Sequence, residues 1–168
     1  MKMRVFFQVM ILILVSNLLL GDNSSESSKV SFHRLNQDPK FNPDVLLEFA
    51  TQGNLKKLKD VINSNEKLVD YRDPDGWTLL IIAARFGRKD VAEYLLSKKA
   101  DVNAVDRHGF TALHQAASFG NDEIIELLID HGANVNARTE GSVTARRLAD
   151  SNGHKKAGKI LEDHGGFR

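Results

Sequence analysis

The side chains able to do acid–base or metal chemistry are few and scattered. Six histidines stand at His33, His108, His114, His131, His154 and His164. An imidazole titrates near neutral pH and serves as base, acid or metal ligand. None of the six forms a His-x-x-x-His pair or joins a glutamate in a zinc motif. His108 falls in a turn, and His131 precedes the glycine that closes a helix. Ser142 and Ser151 have no evident base, and neither a Gly-x-Ser-x-Gly turn nor a glycine-rich phosphate loop occurs. Asp73, Asp75 and Gly76 partly match a calcium loop, but Tyr71 occupies the place of its first ligand and Ile82 that of its closing glutamate. Cysteine is absent, which excludes disulfides, thiolate metal sites, cysteine nucleophiles and a lipid anchor on cysteine. No catalytic, cofactor or metal site is expected, and the chain does not read as an enzyme.

The elements that carry these residues repeat. Thr78, Thr111 and Thr144 are 33 residues apart, as are Gly87, Gly120 and Gly153. A period of this size means stacked copies of one small helical unit. Asp73 to Val105 and Asp106 to Arg138 align without a gap. They share an Asp-x-x-Gly-aromatic-Thr opening, Leu80 with Leu113, and Ala83-Ala84 with Ala116-Ala117. Leu95-Leu96 with Leu127-Leu128 also agree, as do the closing Ala100 to Ala104 and Ala133 to Ala137. This pattern resembles the ankyrin repeat. The resemblance implies an all-α solenoid of about four helix-turn-helix repeats joined by β-hairpin-like turns, with binding on a concave face.

Each motif residue also has a mechanical reading. Asp73 and Asp106 open tight turns, where a carboxylate accepts backbone N–H bonds. Gly76 and Gly109 supply the permissive backbone of those turns. Thr78 and Thr111 cap the helix that follows, expected from about Leu79 to Phe86, and Gly87 and Gly120 end it. In the second helix Val91, Tyr94, Leu95 and Leu96, then Ile124, Ile125, Leu127, Leu128 and Ile129, form an apolar stripe at helical spacing. His114 stands at the Thr-x-Leu-His position of the ankyrin pattern, where the family braces its hairpin with it.

Four copies are expected, at about 41–72, 73–105, 106–138 and 139–166. In the first, Leu46, Leu47, Phe49 and Ala50 stand for the first helix, Gly53 for its end, and Leu58, Val61 and Ile62 for the second helix. One extra residue lies between Asn63 and Arg72. In the last, Arg146 replaces the leucine of Leu80 and Leu113, and Glu162 replaces Leu96. These charges read as an end cap, because a terminal repeat has one face without a neighbour. Lys155, Lys156 and Lys159 with Arg146 and Arg147 read as a solvated capping face rather than an anion site. Lys99 stands where Gly132 and Gly165 close their helices, so it is expected in a strained left-handed conformation.

Residues 1–21 read as a secretory signal peptide: Lys2 and Arg4, then Val5 to Leu20, mostly apolar, then Gly21 before a polar stretch. The apolar run of 16 residues is short against the roughly 20 needed to span a membrane. Leu19 fits a cleavage site poorly, so an uncleaved signal anchor is the rival, and a cytosolic protein with an apolar start a further one. The basic start places the repeats on the extracytoplasmic side. Residues 22–40 read as a flexible polar leader containing an Asn23-Ser24-Ser25 glycosylation acceptor. Removing Lys2 and Arg4 with the signal takes the net charge from +1 to −1, which argues against a nucleic-acid binder.

The expectation is an exported, monomeric, non-catalytic module that binds a protein partner. A membrane-anchored scaffold and a protective factor for an exported enzyme are the alternatives. The candidate binding residues lie on turn tips and first helices: Asp75, Trp77, Arg85, Phe86, Arg107, His108, Phe110, Ser118, Phe119 and Val143. Trp77, Phe110 and Val143 share one offset, and Phe86 and Phe119 another. Stacking would align them as two apolar rows.

Overall fold

The computed structural model describes residues 43–167. The signal segment, the leader and Asn23 lie outside the described residues. Among those described, eight α-helices follow one another in four pairs. They are α1 (Val45–Gln52) with α2 (Leu55–Ser64), α3 (Leu79–Arg85) with α4 (Lys89–Ser97), α5 (Ala112–Phe119) with α6 (Asp122–Asp130), and α7 (Ala145–Ser151) with α8 (Lys155–Asp163). The all-α repeat stack is therefore as the resemblance implies. The extra residue of the first repeat is absorbed in a 3-10 turn, Glu66–Asp70. None of these helices is long and apolar enough to cross a membrane.

The caps form as the threonine spacing requires. The hydroxyls of Thr78, Thr111 and Thr144 accept from the backbone N–H of Ile81, His114 and Arg147. Each satisfies a helix donor that has no partner within the helix. Asp44 holds the matching place in the first repeat but makes no side-chain cap. Its carboxylate instead accepts from the Tyr71 hydroxyl, and burial with that neighbouring charge pushes the phenol well above its ordinary pKa.

The first helices pack closely on one another, while the second helices meet more sparsely. The alanine pairs permit this: Ala83, Ala84, Ala116 and Ala117 are all fully buried. A stack spaced more tightly on one side curves toward that side, which makes the first helices and their turn tips the concave face. One continuous core runs through all four pairs, from Leu46 and Leu58 through Leu95 and Leu113 to Leu128 and Leu161.

Polar ladders stitch the units at fixed offsets. The Asn103 side chain accepts from Asn134 N–H at 2.8 Å and donates to the Gly132 carbonyl at 3.2 Å. Asn136 repeats both bonds one unit on, to Phe167 N–H and the Gly165 carbonyl. A second ladder closes the first helices. Arg88 donates to the Thr51 carbonyl, Asn121 to the Ala84 carbonyl, and the His154 ring meets the Ser118 carbonyl. At Gly120 the backbone is left-handed, and an added Cβ would lie 2.6 Å from the His154 ring, so glycine serves both helix and ladder there.

The charges singled out in the fourth repeat contact one another and the tail that follows. Arg146 pairs with Glu162 at 3.1 Å and donates to the Gly166 carbonyl at 3.0 Å. Gly158, where the preceding repeat has Ile125, leaves room for the Asp150 carboxylate, which would lie 2.7 Å from an added Cβ.

Candidate functional site

The turn tips are joined into a continuous edge. Asp73 accepts from the N–H groups of Asp75 and Trp77, and Asp106 from those of His108 and Phe110, all within 2.8–2.9 Å. The tips then bond to one another: Arg107 N–H donates to the Asp75 carbonyl at 3.1 Å, and Glu140 N–H to the His108 carbonyl at 3.0 Å. Gly76 sits where the next tip is close: a Cβ there would meet the Arg107 and Asp106 backbone at 3.0 Å. The Arg107 guanidinium also pairs with the Asp75 carboxylate. Rigid tips of this kind present side chains without much ordering on contact.

The two expected rows differ in character. Trp77, Phe110 and Val143 are half-buried, and Trp77 packs partly against the core. Phe86 and Phe119 are exposed, at 44% and 46%. Arg85 connects the rows. Its guanidinium lies 4.7 Å from the Phe119 ring centre, 5.4 Å from that of Trp77 and 5.9 Å from that of Phe86. It also donates to the Gln115 side chain at 3.3 Å. Cation–ring contacts at such sites contribute about 0.5–1 kcal/mol each. The candidates thus separate into a Trp77–Arg85–Phe86–Phe119 cluster and the Asp75–Arg107 tip pair. His108 is exposed at its tip. Ser118 accepts at its hydroxyl and carbonyl from Asn152 at 3.0 and 2.9 Å. Val143 gives its backbone carbonyl to His114.

His114 is fully buried and has a bracing part. Its Nδ1 accepts from Thr111 N–H at 3.2 Å, and its Nε2 lies 3.1 Å from the Val143 carbonyl in the next hairpin. Nε2 therefore carries the proton. Burial pushes the imidazole pKa down, against the opposing pull of carbonyl bonds and Asp106. A neutral ring wedged between two repeats has no face for a substrate.

Three contributors escaped the sequence reading. Gln115 is buried beneath Arg85 and orients it. Val105 and Phe167 are each 45% exposed. Val105 stands where the other repeats have Arg72 and Arg138, and that change of type at a fixed offset was the available signal. Arg138 lies over the Phe167 ring at 5.1 Å.

A family model described as ankyrin repeats in three copies matches residues 46–139. The chain belongs to the ankyrin repeat family. The fourth helix pair of this ankyrin stack follows the matched range. The ankyrin region is also similar to proteins named NAD-capped RNA hydrolase NUDT12 from Homo sapiens, Pongo abelii and Macaca fascicularis, with 33% identity over 52 residues in each case. That stretch is 31% of this chain, and it spans only 11% of the length of those relatives. Ankyrin repeats indicate a protein-interaction module, and the family is generally non-catalytic.

Proposed function

We propose that this ankyrin stack is an exported, monomeric module that binds a protein partner through its tips and first helices and has no catalytic activity of its own. The observation that carries the reading is the Trp77–Arg85–Phe86–Phe119 cluster. It places two exposed phenylalanines and a guanidinium beside one another on a preformed surface. Aromatic and arginine side chains dominate binding energy at protein interfaces. Export rests on the basic-then-apolar order of residues 1–21. The hydrolase activity in the names of the NUDT12 proteins does not transfer, because the shared stretch is a small part of them.

The test uses the full chain expressed in its own host. Proteins cross-linked to wild type in the extracytoplasmic fraction are compared with those cross-linked to Phe86→Ala/Phe119→Ala. Loss of the major cross-linked species from the double variant, with an unchanged circular dichroism melt, supports the face. Recovery of the same species with both proteins overturns it. The mass of the recovered N-terminus tests export: a chain retaining Met1 in the cytosol removes that half of the reading.

A further inference from the structure

We infer that the occupant of this face is an acidic, apolar peptide segment: a large apolar side chain over Phe86 and Phe119, with an Asp or Glu beside it meeting Arg85. The inference rests on the proposed binding face and specifies its chemistry. Charge carries the argument. Among the described residues, no ion pair reaches Arg85. Its neighbours are three aromatic rings and the neutral Gln115 amide. By contrast, Arg107 on the turn tip is paired with Asp75.

Arg85 is thus a charged group set into an apolar patch without a counter-ion. Docking an apolar segment there would strip water from the guanidinium, and an unpaired charge at a desolvated interface is costly. A neutral apolar ligand would bear that cost in full. A carboxylate on the ligand removes it and adds a charge-assisted, directional bond to the planar guanidinium. The geometry also holds Arg85 ready: Gln115 and the ring faces fix the guanidinium plane, so little side-chain freedom is lost on binding. A basic segment would be repelled, which makes Arg85 a discriminating residue as well as an anchor.

The probe is a random peptide library displayed on phage and panned against the full chain. Peptides enriched in Asp or Glu next to Leu, Phe, Trp or Tyr are expected. Arg85→Met keeps the apolar stem and removes the charge; it should weaken those peptides about tenfold or more, equivalent to about 1.4 kcal/mol. It should also abolish the salt dependence of their affinity. Arg85→Lys, which keeps the charge and loses the planar fork, should fall between Met and wild type. Enriched peptides that lack acids, or bind Arg85→Met as well as wild type, overturn the acidic occupant while sensitivity to Phe86→Ala/Phe119→Ala leaves the face standing. Peptides insensitive to that double variant, or an absence of enriched peptides, overturn the face itself.

Discussion

The third and fourth repeats use the same offsets to opposite ends. Leu113 in the third is 1% exposed and packs between neighbours. Its counterpart in the fourth is Arg146, whose guanidinium is spanned by Glu162 and the Gly166 carbonyl. The first position buries area against a following unit; the second holds a guanidinium whose terminal nitrogens are paired while its buried Nε has no hydrogen-bond partner. Equivalent positions in two repeats therefore carry opposite surface chemistry on one local geometry.

The largest expected effect separates these two positions directly. Leu113→Ala leaves a cavity in a core that cannot fully collapse and should cost about 3 kcal/mol. Arg146→Ala removes a partly exposed pair and should cost about 1 kcal/mol or less. Urea unfolding followed by circular dichroism measures both. Equal losses would mean that the fourth repeat is packed like an interior one.

His114 marks the border between the two regions and gives a pH test. Its folded-state pKa is lowered, so the unfolded chain takes up a proton first as pH falls. The stability from the neutral ring is fully present above the unfolded value of about 6.5 and is lost as pH falls from there toward the lowered folded value. The slope for one proton is at most about 1.4 kcal/mol per pH unit. His114→Gln should remove that contribution, seen as a flatter stability profile as pH falls below about 6.5. Identical profiles for both proteins would show that the buried ring does not set the acid sensitivity of the junction.

Turning the cap into an interior face should change association more than folding. Arg146→Leu/Glu162→Leu restores residues of the type found at Leu113 and Leu96, and alters folding stability by about 1 kcal/mol or less. It also makes the outer face of the fourth repeat apolar. Multi-angle light scattering should show mass rising with concentration for the double variant and a constant mass for wild type. Constant mass in both would place the cap's closure elsewhere.

Most of this contrast was legible in the chain. The threonine and glycine offsets announced the helix caps, and the change from leucine to Arg146 and Glu162 announced a charged face on the fourth repeat. What stayed hidden depends on contacts between repeats. The exchange of Ala117 for Asp150 and of Ile125 for Gly158 makes sense only when the two positions are known to touch. The binding candidates were found by type and offset. Their division into half-buried Trp77 and exposed Phe86 and Phe119 depends on packing that periodicity does not describe. Gln115 escaped for the same reason: its partner Arg85 lies on the neighbouring helix.

The smallest effect concerns backbone strain, with one case in the second repeat, which is interior, and one in the fourth. Lys99 was expected in a left-handed conformation, and its φ is 66°. Its N–H bonds the Leu96 carbonyl at 2.9 Å, as Gly132 and Gly165 bond Ile129 and Glu162 in the following repeats. Ser142, which the sequence reading did not single out for this, has φ 57° at the offset of Gly76 and Gly109. Both side chains are exposed, so glycine removes little packing at either place. Relief of the Cβ clash is worth about 1–2 kcal/mol. The greater freedom of glycine in the unfolded chain offsets about 0.5–1 kcal/mol of it. Lys99→Gly should therefore gain about 0.5–1 kcal/mol, a rise in Tm of about 2–5 °C. Ser142→Gly should gain less, because Gly141 already precedes it and two adjacent glycines loosen the unfolded chain further. Calorimetry of the two single variants gives the order. A larger gain at Ser142 would locate more strain in the end repeat than in the interior one and reverse the contrast between them.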